Sequence, residues 1–445
     1  MEEVLTKTLN YTPDAEVIHQ QLISTQVMFE NNKLKGVNTK QINGLGLRVI
    51  KDGKIGFSST TDLVNLTQLV DNAIISAKFG QEAKFEFPKT LSPSPVKVFD
   101  EGVERFSIEE GVDLGKNLID RLLALDSELF CKEAEISRTI LKTKIVNTAG
   151  VDFEYQKTLF TIYVTGLLIR NNSLLWLTEY ETGCDLNEAC LVKDIEVMVS
   201  KIAESLAWSK NELSCKTKKL PMIFTPKLIS TILDTVELGV NGKLIQKGAS
   251  PLTNRLGEKI FDERLTIYDD ATIDFAPNSC PVDGEGVRTQ KTPLIENGVL
   301  KNYLFDLQTA GFLNTVSTGN GHRDFDSLPS PLCSNIVVLP GEEACLVMDF
   351  YDMIKDMKEG IIIDSVLGGG QSNVLAGEFA FNVELGFKVE NGEVVGRLKD
   401  TMASGNVFDI FNRIRAIGSE SYSWGNVISP HFYFDEINVV GNGKW

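Results

Sequence analysis

Four short polar turns, each flanked by arms of alternating apolar and polar residues, constrain this chain more than any other sequence feature. They are Asn31-Asn32, Asp52-Gly53, Asn297-Gly298 and Asn391-Gly392. Asparagine, aspartate and glycine tolerate the positive φ that a tight hairpin turn requires, so these segments predict antiparallel hairpins. Helical patterns follow runs of strands and do not alternate with single strands. We therefore expect an α+β fold with mostly antiparallel sheets, not a series of βαβ units.

A weak internal repeat occupies the first half of the chain, where several strands twice precede an amphipathic helix. The first such helix is predicted over 63–79 with Thr61-Asp62 as its N-cap, and the second near 186–207. Prolines cluster in 84–97, which predicts a linker, and the polar segment 209–221 predicts a boundary.

These features predict a two-part chain with internally repeated strand-rich units. We expect an N-terminal α+β region at 1–215, with units at about 1–85 and 98–215, and a β-rich α+β domain at 216–445. Strands are expected at 151–157 and 159–169, and helices of the second part at 226–238, 305–313 and 405–415.

Charge excludes several classes of function. The 445 residues include 61 acidic and 44 basic side chains, for a formal net charge of −17, and such a surface repels nucleic-acid phosphates and anionic lipids. No apolar run approaches the ~20 residues that cross a bilayer. The start of the sequence, Met1 to Val4, is acidic where a secretory signal is basic. We expect a cytoplasmic protein without direct nucleic-acid or membrane contact.

Cysteine and histidine give little support for a metal site. The seven cysteines are scattered without a C-x-x-C pair, which favours reduced thiols over a disulfide framework. Only His19, His322 and His431 occur, and no H-E-x-x-H motif exists. A metal site would need carboxylates or residues distant in sequence.

The segment 317–335 concentrates polar, flexible and cationic groups and is the main candidate for ligand contact. Its Arg323 and its backbone N–H groups could bind a peptide carboxylate or carbonyl. The alternative is a long connection held by its own hydrogen bonds. The candidate substrate or interface residues, including three from a second glycine-rich segment, are Gly319, Asn320, Gly321, Arg323, Ser334, Asn335, Gly369, Gly370 and Gln371.

Several other patterns admit two interpretations each. Gly368-Gly-Gly-Gln371 leads into a predicted strand, which favours a bulge or close backbone approach over a phosphate loop. His322 with Asp324 and Asp326 has a ligand-like spacing but is more typical of a solvated patch. Asp283-Gly-Glu285-Gly286 is either a carboxylate pair or a turn. Cys333 could be a nucleophile only with a base beside it.

An ordered set of segments resembles the TldD/PmbA family. Gly44-Leu-Gly-Leu-Arg-Val49 is similar to the family's first module, and the second half carries Leu294-Ile-Glu-Asn-Gly-Val-Leu300, Ser317-Thr-Gly-Asn-Gly321 and Gly377-Glu-Phe379 in the family's order. The resemblance implies a cytoplasmic peptide-processing metalloprotease built from two homologous subunits. The TldD-type subunit holds zinc through an H-E-x-x-x-H helix and a cysteine near the C-terminus.

Alignment to that pattern places the metal-binding helix on Leu233-Asp-Thr-Val-Glu-Leu238, so leucine replaces both histidines. The cysteine position falls on Ser423 to Gly425, which contains no thiol. Since a catalytic zinc needs about three protein ligands, the resemblance implies a PmbA/TldE-type subunit without catalytic residues, metal or cofactor of its own. Its expected partners are a TldD-type subunit that carries zinc, or a second copy of this chain, and a peptide substrate.

Two alternatives come from other classes of function. One is an independent hydrolase that uses Cys333 or a serine as its nucleophile. The other is a protein-binding regulator of DNA gyrase, after the family's label as a modulator of that enzyme. Whether the chain is itself an enzyme stays open at the level of sequence.

Overall fold

A computed structural model describes residues 1–170, 173–186, 188–340, 347–368 and 373–442, with side chains left out for 188–194. Gly369, Gly370 and Gln371, three of the candidate contact residues, lie outside the described residues. None of the described helices is both long and apolar enough to span a bilayer.

The first part of the chain forms one six-stranded antiparallel sheet with helices. Its elements are α1 (Glu2–Thr8), β1 (Asp14–Glu30), β2 (Lys33–Lys51), β3 (Lys54–Thr60), α2 (Leu66–Ala77), α3 (Glu101–Arg105), α4 (Ile108–Leu123), β4 (Leu129–Asn147), β5 (Asp152–Arg170), β6 (Ser173–Gly183) and α5 (Glu188–Trp208). The strand order is β3-β2-β1-β4-β5-β6. At the centre of the sheet β1 pairs antiparallel with β4. The pairing runs from Glu16, opposite Asn147, to Glu30, opposite Glu133. The chain therefore repeats a three-stranded meander, and the two copies meet at β1 and β4.

Alternation along β1 separates the two faces of this sheet. Val17, Val27 and Phe29 belong to clusters with the helices, whereas Ile18 packs with Val282 and Phe325 of the second part. Because successive side chains in a strand point to opposite faces, the helices cover one face of the sheet. Loops of the second part cover the other face.

The second part is built on a larger, mixed sheet. Its elements are β7 (Glu212–Leu213), β8 (Lys218–Phe224), α6 (Pro226–Val240), α7 (Gly242–Gln246), β9 (Leu265–Asp270), β10 (Lys291–Glu296), β11 (Val299–Leu300), α8 (Leu307–Phe312), β12 (Gly321–His322), β13 (Ser330–Pro331), β14 (Ile336–Pro340), β15 (Val347–Met348), α9 (Phe350–Asp356), β16 (Glu359–Leu367), β17 (Glu378–Glu390), β18 (Glu393–Leu398), β19 (Thr401–Asn406), α10 (Val407–Ile410), β20 (Ile414–Trp424) and β21 (Val427–Gly441). Most pairs are antiparallel, but β8 with β16, β14 with β21, β15 with β20 and β7 with β18 are parallel.

Both faces of this sheet are buried at its centre. Met222 and Phe224 pack in the cluster that contains α6, whereas Ile223 between them packs with residues of the N-terminal sheet and α5. Burial on both sides explains why the central strands read as continuous apolar runs such as Ile361-Ile-Ile363. The two parts thus share a hydrophobic core.

The predicted α+β class with mostly antiparallel sheets is confirmed, as is the internal repeat of strand-rich units. All four predicted hairpin turns form. Asn31, Asp52, Asn297 and Asn391 each have a φ between 47° and 51°, and the following residue is also positive in φ. These are the dihedral signs of the two-residue turns that fit the strand twist.

Three local predictions were wrong. Helix α2 begins after Asn65, not at Thr61-Asp62, whose Asp62 side chain instead accepts N–H bonds within the preceding loop. The strands predicted at 151–157 and 159–169 are the single strand β5, because β4 pairs along its whole length. The helix predicted at 405–415 is the four-residue α10, because the chain turns into β20 at Ile414 and pairs with β21.

Candidate functional site

Helix α6 presents two different faces. Pro226 occupies its first turn, where the missing N–H costs no hydrogen bond. Leu228, Ile232 and Leu233 point into the core. The opposite face, with Ser230, Thr231, Asp234 and Glu237, lines a cavity of about 260 Å³. The polar residues recur at helical spacing and so form one face of α6, which borders the cavity. The apolar face packs in the core and holds the helix in place.

The far wall of this cavity is the turn between β20 and β21. Trp424, Gly425, Asn426 and Val427 line it together with Ile336 of β14. The two segments that the resemblance singled out, 233–238 and 423–425, are nearly 200 residues apart in the chain but meet at this cavity. We call it the α6 cavity.

The two carboxylates that line the α6 cavity have raised pKa values. Burial raises the pKa of Asp234, and it raises the pKa of Glu237, to which the neighbouring charge of Asp234 adds. Asp269, near the end of β9, does not line the cavity. It is 1% exposed, and burial raises its pKa to about 7, to which the charge of Glu237 contributes. A carboxyl group with a pKa near neutrality can exchange a proton at physiological pH.

The candidate loop connects to the same place through Asp269. Asn320 is 2% exposed, and its Nδ2 donates to Asp269 Oδ2 at 2.6 Å and to the carbonyl of Leu332 at 3.0 Å. Gly319 has a φ of +76°, and a Cβ there would lie 2.3 Å from the carbonyl oxygen of Arg288. Glycine is therefore required at 319 for the loop to reach Asp269.

Residues 333–335 continue from the loop to the cavity. The backbone N–H of Cys333 donates to Glu237 Oε1 at 3.3 Å, and that of Ser334 donates to Asp269 Oδ1 at 2.5 Å. Asn335 Nδ2 donates to the carbonyl of Asp270 at 2.7 Å. The structure thus brings Asn320, Ser334 and Asn335 together beneath α6, each with an internal partner.

Arg323 and Gly321 lie apart from that group. Arg323 Nη2 donates to Glu16 Oε1 of β1 at 2.5 Å, its Nε donates to the Gly284 carbonyl at 2.7 Å, and burial lowers its pKa. The Gly321 N–H donates to Asp283 Oδ2 at 2.9 Å. Contact of a peptide with any of these residues stays a prediction. Among the described residues Arg323 Nη1 is buried without a hydrogen-bond partner, whereas the other polar groups named here bond within the fold.

The donor atoms that a catalytic zinc requires are not at the expected positions. Leu233 is 0% exposed in the core and Leu238 is 36% exposed, and neither side chain has a lone pair. The turn at 423–425 offers no thiol. Among the residues that the structure describes, no three His, Cys, Asp or Glu side chains are grouped so as to hold a metal ion. The residues present at the α6 cavity do not fit a zinc site of the H-E-x-x-x-H kind.

Cys333 and Ser334, the residues that could serve an independent hydrolase, are buried. Burial raises the pKa of the Cys333 thiol well above its usual range, and the charges of Asp269 and Glu237 raise it further. Ser334 Oγ lies 3.3 Å from His322 Nε2, but Ser334 is 0% exposed. A peptide carbonyl cannot reach a fully buried hydroxyl, and a protonated thiol is a weak nucleophile.

We expect Asp269→Asn to change how stability depends on pH. A group whose pKa rises on folding, here from about 3.9 to about 7, stabilises the fold fully below the lower value and loses that contribution as the pH rises through the higher one. Asparagine at 269 does not titrate. The free energy of unfolding of the variant should therefore lack the decline with pH that the wild type shows, which is about 1.4 kcal/mol per unit of pKa shift. Urea unfolding between about pH 4 and pH 7 measures this difference.

Asp113→Asn is the matched control, because Asp113 is 81% exposed on α4. Its stability should follow the wild-type pH curve. Parallel curves for wild type and Asp269→Asn would contradict a raised pKa at Asp269.

Comparison with known proteins decides the family. Residues 217–441 match the PmbA/TldA metallopeptidase C-terminal domain, and residues 15–77 match the PmbA/TldA metallopeptidase domain 1. The chain belongs to the PmbA/TldD family. The resemblance inferred from short segments is thereby confirmed, and the α6 cavity lies within the C-terminal domain of that family.

Relatives and solved structures of PmbA/TldD-like proteins cover nearly the whole chain. The metalloprotease TldD homolog of Buchnera aphidicola is 29% identical over 94% of this chain and 87% of its own length. The fold is similar to that of TldE from Thermococcus kodakarensis, with a TM-score of 0.89 and 22% identity over 99% of this chain and 100% of the other. A Thermotoga maritima protein provisionally assigned as a modulator of a DNA gyrase has a TM-score of 0.86 and 24% identity, over 99% of this chain and 100% of its own.

Sequence reasoning for this PmbA/TldD family member missed Asp269 and Lys227. Asp269 and Asp270 close an apolar strand, and that acidic pair after Leu265–Tyr268 is a signal that could have been used. Lys227 has no such signal, because its partners Glu179 and Asp364 lie 48 and 137 residues away.

Proposed function

We propose that this chain is the PmbA/TldE-type subunit of a two-subunit metalloprotease and contributes no zinc ligand of its own. The observation that carries the proposal is the pair of leucines at 233 and 238 beside a cavity whose opposite wall, at 423–425, lacks a thiol. Since a hydrolytic zinc needs about three protein ligands and an open position, water activation is assigned to a homologous TldD-type partner.

In this proposal the chain shapes the peptide cleft of the assembly in the cytoplasm. The loop 317–335 exposes its tip at Asp324, Asp326 and Leu328. Its base is fixed to β1, β9 and α6 by Arg323, Asn320 and Cys333. A rigid base with an exposed tip suits a segment that borders an extended peptide, which gains main-chain hydrogen bonds at a sheet edge. A homodimer is the form proposed when the partner is absent.

Mixing this chain with a TldD-type partner should raise the partner's peptidase turnover until the two are present in equal amounts. The physical reason is that the cleft is completed only when both subunits are present. Turnover is measured at fixed partner and increasing concentration of this chain, with an unrelated acidic protein of similar size as the control. A flat response over the whole series would end the proposal of a partner role.

Metal analysis provides a separate measurement on the isolated chain. We expect far less than one equivalent of zinc after dialysis, and no peptidase activity that a chelator removes. One equivalent of zinc, lost together with proteolysis on chelation, would show that this chain holds the metal itself.

A further inference from the structure

A second and larger cavity lies where the N-terminal sheet and α5 meet the C-terminal sheet. It has a volume of about 520 Å³. We call it the aromatic cleft, because much of its wall consists of rings. These are Trp208, Phe350, Tyr351, Phe387, Tyr422, Trp424 and His431.

The rings of the aromatic cleft hold one another in place. Phe350 stacks on His431 with 4.2 Å between ring centroids, and the Tyr422 ring meets His431 edge-on at 5.3 Å. Trp208 packs against Phe387 at 5.1 Å. Burial lowers the pKa of His431 to about 4, so its ring is neutral at pH 7. The wall is thus a preformed, uncharged aromatic surface.

Carboxylates outnumber cations around these rings. Among the residues that the structure describes, two lysines and five acidic side chains line the cleft. The acidic ones are Glu179, Glu204, Asp349, Asp364 and Glu420. Tyr422 and Tyr351 bind Glu420 and Glu204 through their hydroxyl groups, at 2.7 Å and 2.8 Å. Aromatic faces rimmed by carboxylates attract cations through both the ring quadrupole and direct charge.

The two lysines leave this negative charge incompletely neutralised. Lys227 donates to the Thr178 carbonyl, to Glu179 Oε1 and to Asp364 Oδ2, which uses all three of its protons. Lys201 Nζ lies 3.8 Å from Glu179 Oε2 and 3.9 Å from Glu181 Oε1, beyond hydrogen-bond distance of both, and 5.7 Å from the centre of the Tyr422 ring. Glu179 is 3% exposed, and its Oε2 has no hydrogen-bond partner among the described residues. A buried carboxylate oxygen without a donor is costly and points to a cationic ligand.

We propose that the aromatic cleft binds a cationic group of a peptide, either a guanidinium or an ammonium, between the ring of Tyr422 and the carboxylates of Glu179, Glu204 and Glu420. The ligand takes the place of the Lys201 ammonium, which makes no direct hydrogen bond to the described carboxylates there. That the ligand is a peptide rests on the proposed function, whereas the preference for a cation rests on the cleft alone.

Binding of dye-labelled peptides to the isolated full chain tests this site by fluorescence anisotropy. Three peptides are compared: a blocked peptide with one arginine, the same peptide with neutral citrulline, and an alanine peptide with a free N-terminal ammonium. A single cation–aromatic contact predicts binding of at least one cationic peptide about fivefold tighter than the citrulline peptide. The arginine and free-amine peptides distinguish the two sources of charge. The preference should shrink when salt rises to about 150 mM.

Variants assign the preference to the cleft. Glu204→Gln with Glu420→Gln, and separately Tyr422→Leu, should weaken cationic-peptide binding severalfold, while Tyr422→Phe keeps the ring and retains most of it. Lys201→Met should tighten binding by removing the competing ammonium. Glu263→Gln combined with Glu258→Gln, two exposed acids outside the cleft, is the control for the loss of two charges and should have no effect.

Equal affinity for arginine and citrulline peptides, with no gain for the free amine, would overturn the proposal. So would equal losses in the Glu204/Glu420 and Glu258/Glu263 variants, since charge would then act from anywhere on the surface. These measurements need no partner subunit. A failure here therefore leaves the turnover titration intact, and a flat titration leaves cation binding intact.

Discussion

Arg48→Met is expected to lower the free energy of unfolding by about 3–5 kcal/mol, because it leaves the buried carboxylate of Glu285 without its ion-pair partner and leaves Glu16 with Arg323 alone. The Arg48 side chain is 2% exposed, and those of Glu16 and Glu285 are 0% exposed. Nη1 donates to Glu285 Oε1 at 2.6 Å, and Nη2 lies 3.0 Å from Glu16 Oε1. Equilibrium urea unfolding at pH 7 measures the change.

The loss of stability expected for Arg48→Met is large because the ion pairs of Arg48 are buried between the two parts of the chain. Burial opposes the charged form of Arg48, yet the charges of Glu16 and Glu285 outweigh it and raise the pKa of Arg48. Its guanidinium also lies 4.7 Å from the centre of the Phe85 ring. Since β2 supplies Arg48 and the second part supplies Glu285, the variant weakens the contact between the two parts of the chain.

Arg105→Met is the control for loss of an arginine as such. Arg105 pairs with Glu101 one helical turn away, and both side chains are more than two-thirds exposed. Exposed pairs of this kind contribute about 0.3–0.5 kcal/mol. A loss of similar size for both variants would contradict the importance of burial. The double variant Arg48→Met with Glu285→Gln should recover part of the loss, because Glu16 keeps its ion pair with Arg323 and no charged partner of Arg48 is left without a counter-charge.

The second large effect is expected for Lys227→Met, again about 3–5 kcal/mol of unfolding free energy. The ammonium joins Glu179 of β6 to Asp364 of β16, at 2.6 Å and 3.0 Å, and so links the N-terminal sheet to the C-terminal one. Its removal leaves Glu179, whose pKa burial already raises, without its nearest cation. Thermal and urea unfolding at pH 7 both report the loss.

The pH dependence of this effect has a definite sign. Burial opposes the charged form of Lys227, but Asp364 and Glu179 outweigh it and raise its pKa. A raised pKa gives stability that is fully present below the unfolded value of about 10.4 and is lost as the pH rises through the folded value. The gap between wild type and variant should therefore be constant from about pH 7 to pH 10 and narrow only above that range.

Lys355→Met on α9 is the matched control, because its pair with Asp352 is exposed at 71% and 58%. It should change the unfolding free energy by less than about 1 kcal/mol. If Lys227→Met changes the unfolding free energy as little as Lys355→Met does, the carboxylates of Glu179 and Asp364 must become protonated or hydrated once the lysine is gone, and the prediction is wrong.

Predictions based on local geometry agree best with the structure. The hairpins at Asn297-Gly298 and Asn391-Gly392 form because positive φ at both positions is a property of the turn residues themselves. Helix α8 spans Leu307–Phe312, within its predicted range of 305–313, because Asp306 and Thr309 make a reciprocal capping box. Such interactions involve residues within a few positions of one another.

Predictions failed where distant pairing overrode local pattern. The segment 405–415 has apolar residues at helical spacing, yet Ile414 pairs with Phe434 in β21. The miss at Thr61-Asp62 has a local cause instead: the Asp62 side chain accepts the N–H groups of Val64 and Asn65 within the loop, and α2 starts later at Leu66. A sheet partner outweighs a weak helical preference in each case where it supplies backbone hydrogen bonds and burial together.

The candidate site was visible in sequence only in part. Family resemblance pointed to 233–238 and 423–425, and the α6 cavity shows that these segments face each other. The loop residues Asn320, Ser334 and Asn335 were identified, but not that their partners are Asp269 and Asp270. Their roles in substrate contact stay predictions.

The sequence alone was enough to determine the turns, the alternation of the strands, the leucines where zinc ligands would have to be, and the α+β class, because each depends on side-chain chemistry or short-range spacing. It did not determine the environment of Arg48. Alternation along β2 puts the Arg48 side chain on the other face of the sheet from Leu47 and Val49, the face that an isolated sheet exposes to water. Only the tertiary structure covers that face with Glu285 and Arg323, 237 or more residues away in the chain. The pairing of buried charges depends on which distant segments pack together, and no local spacing encodes it.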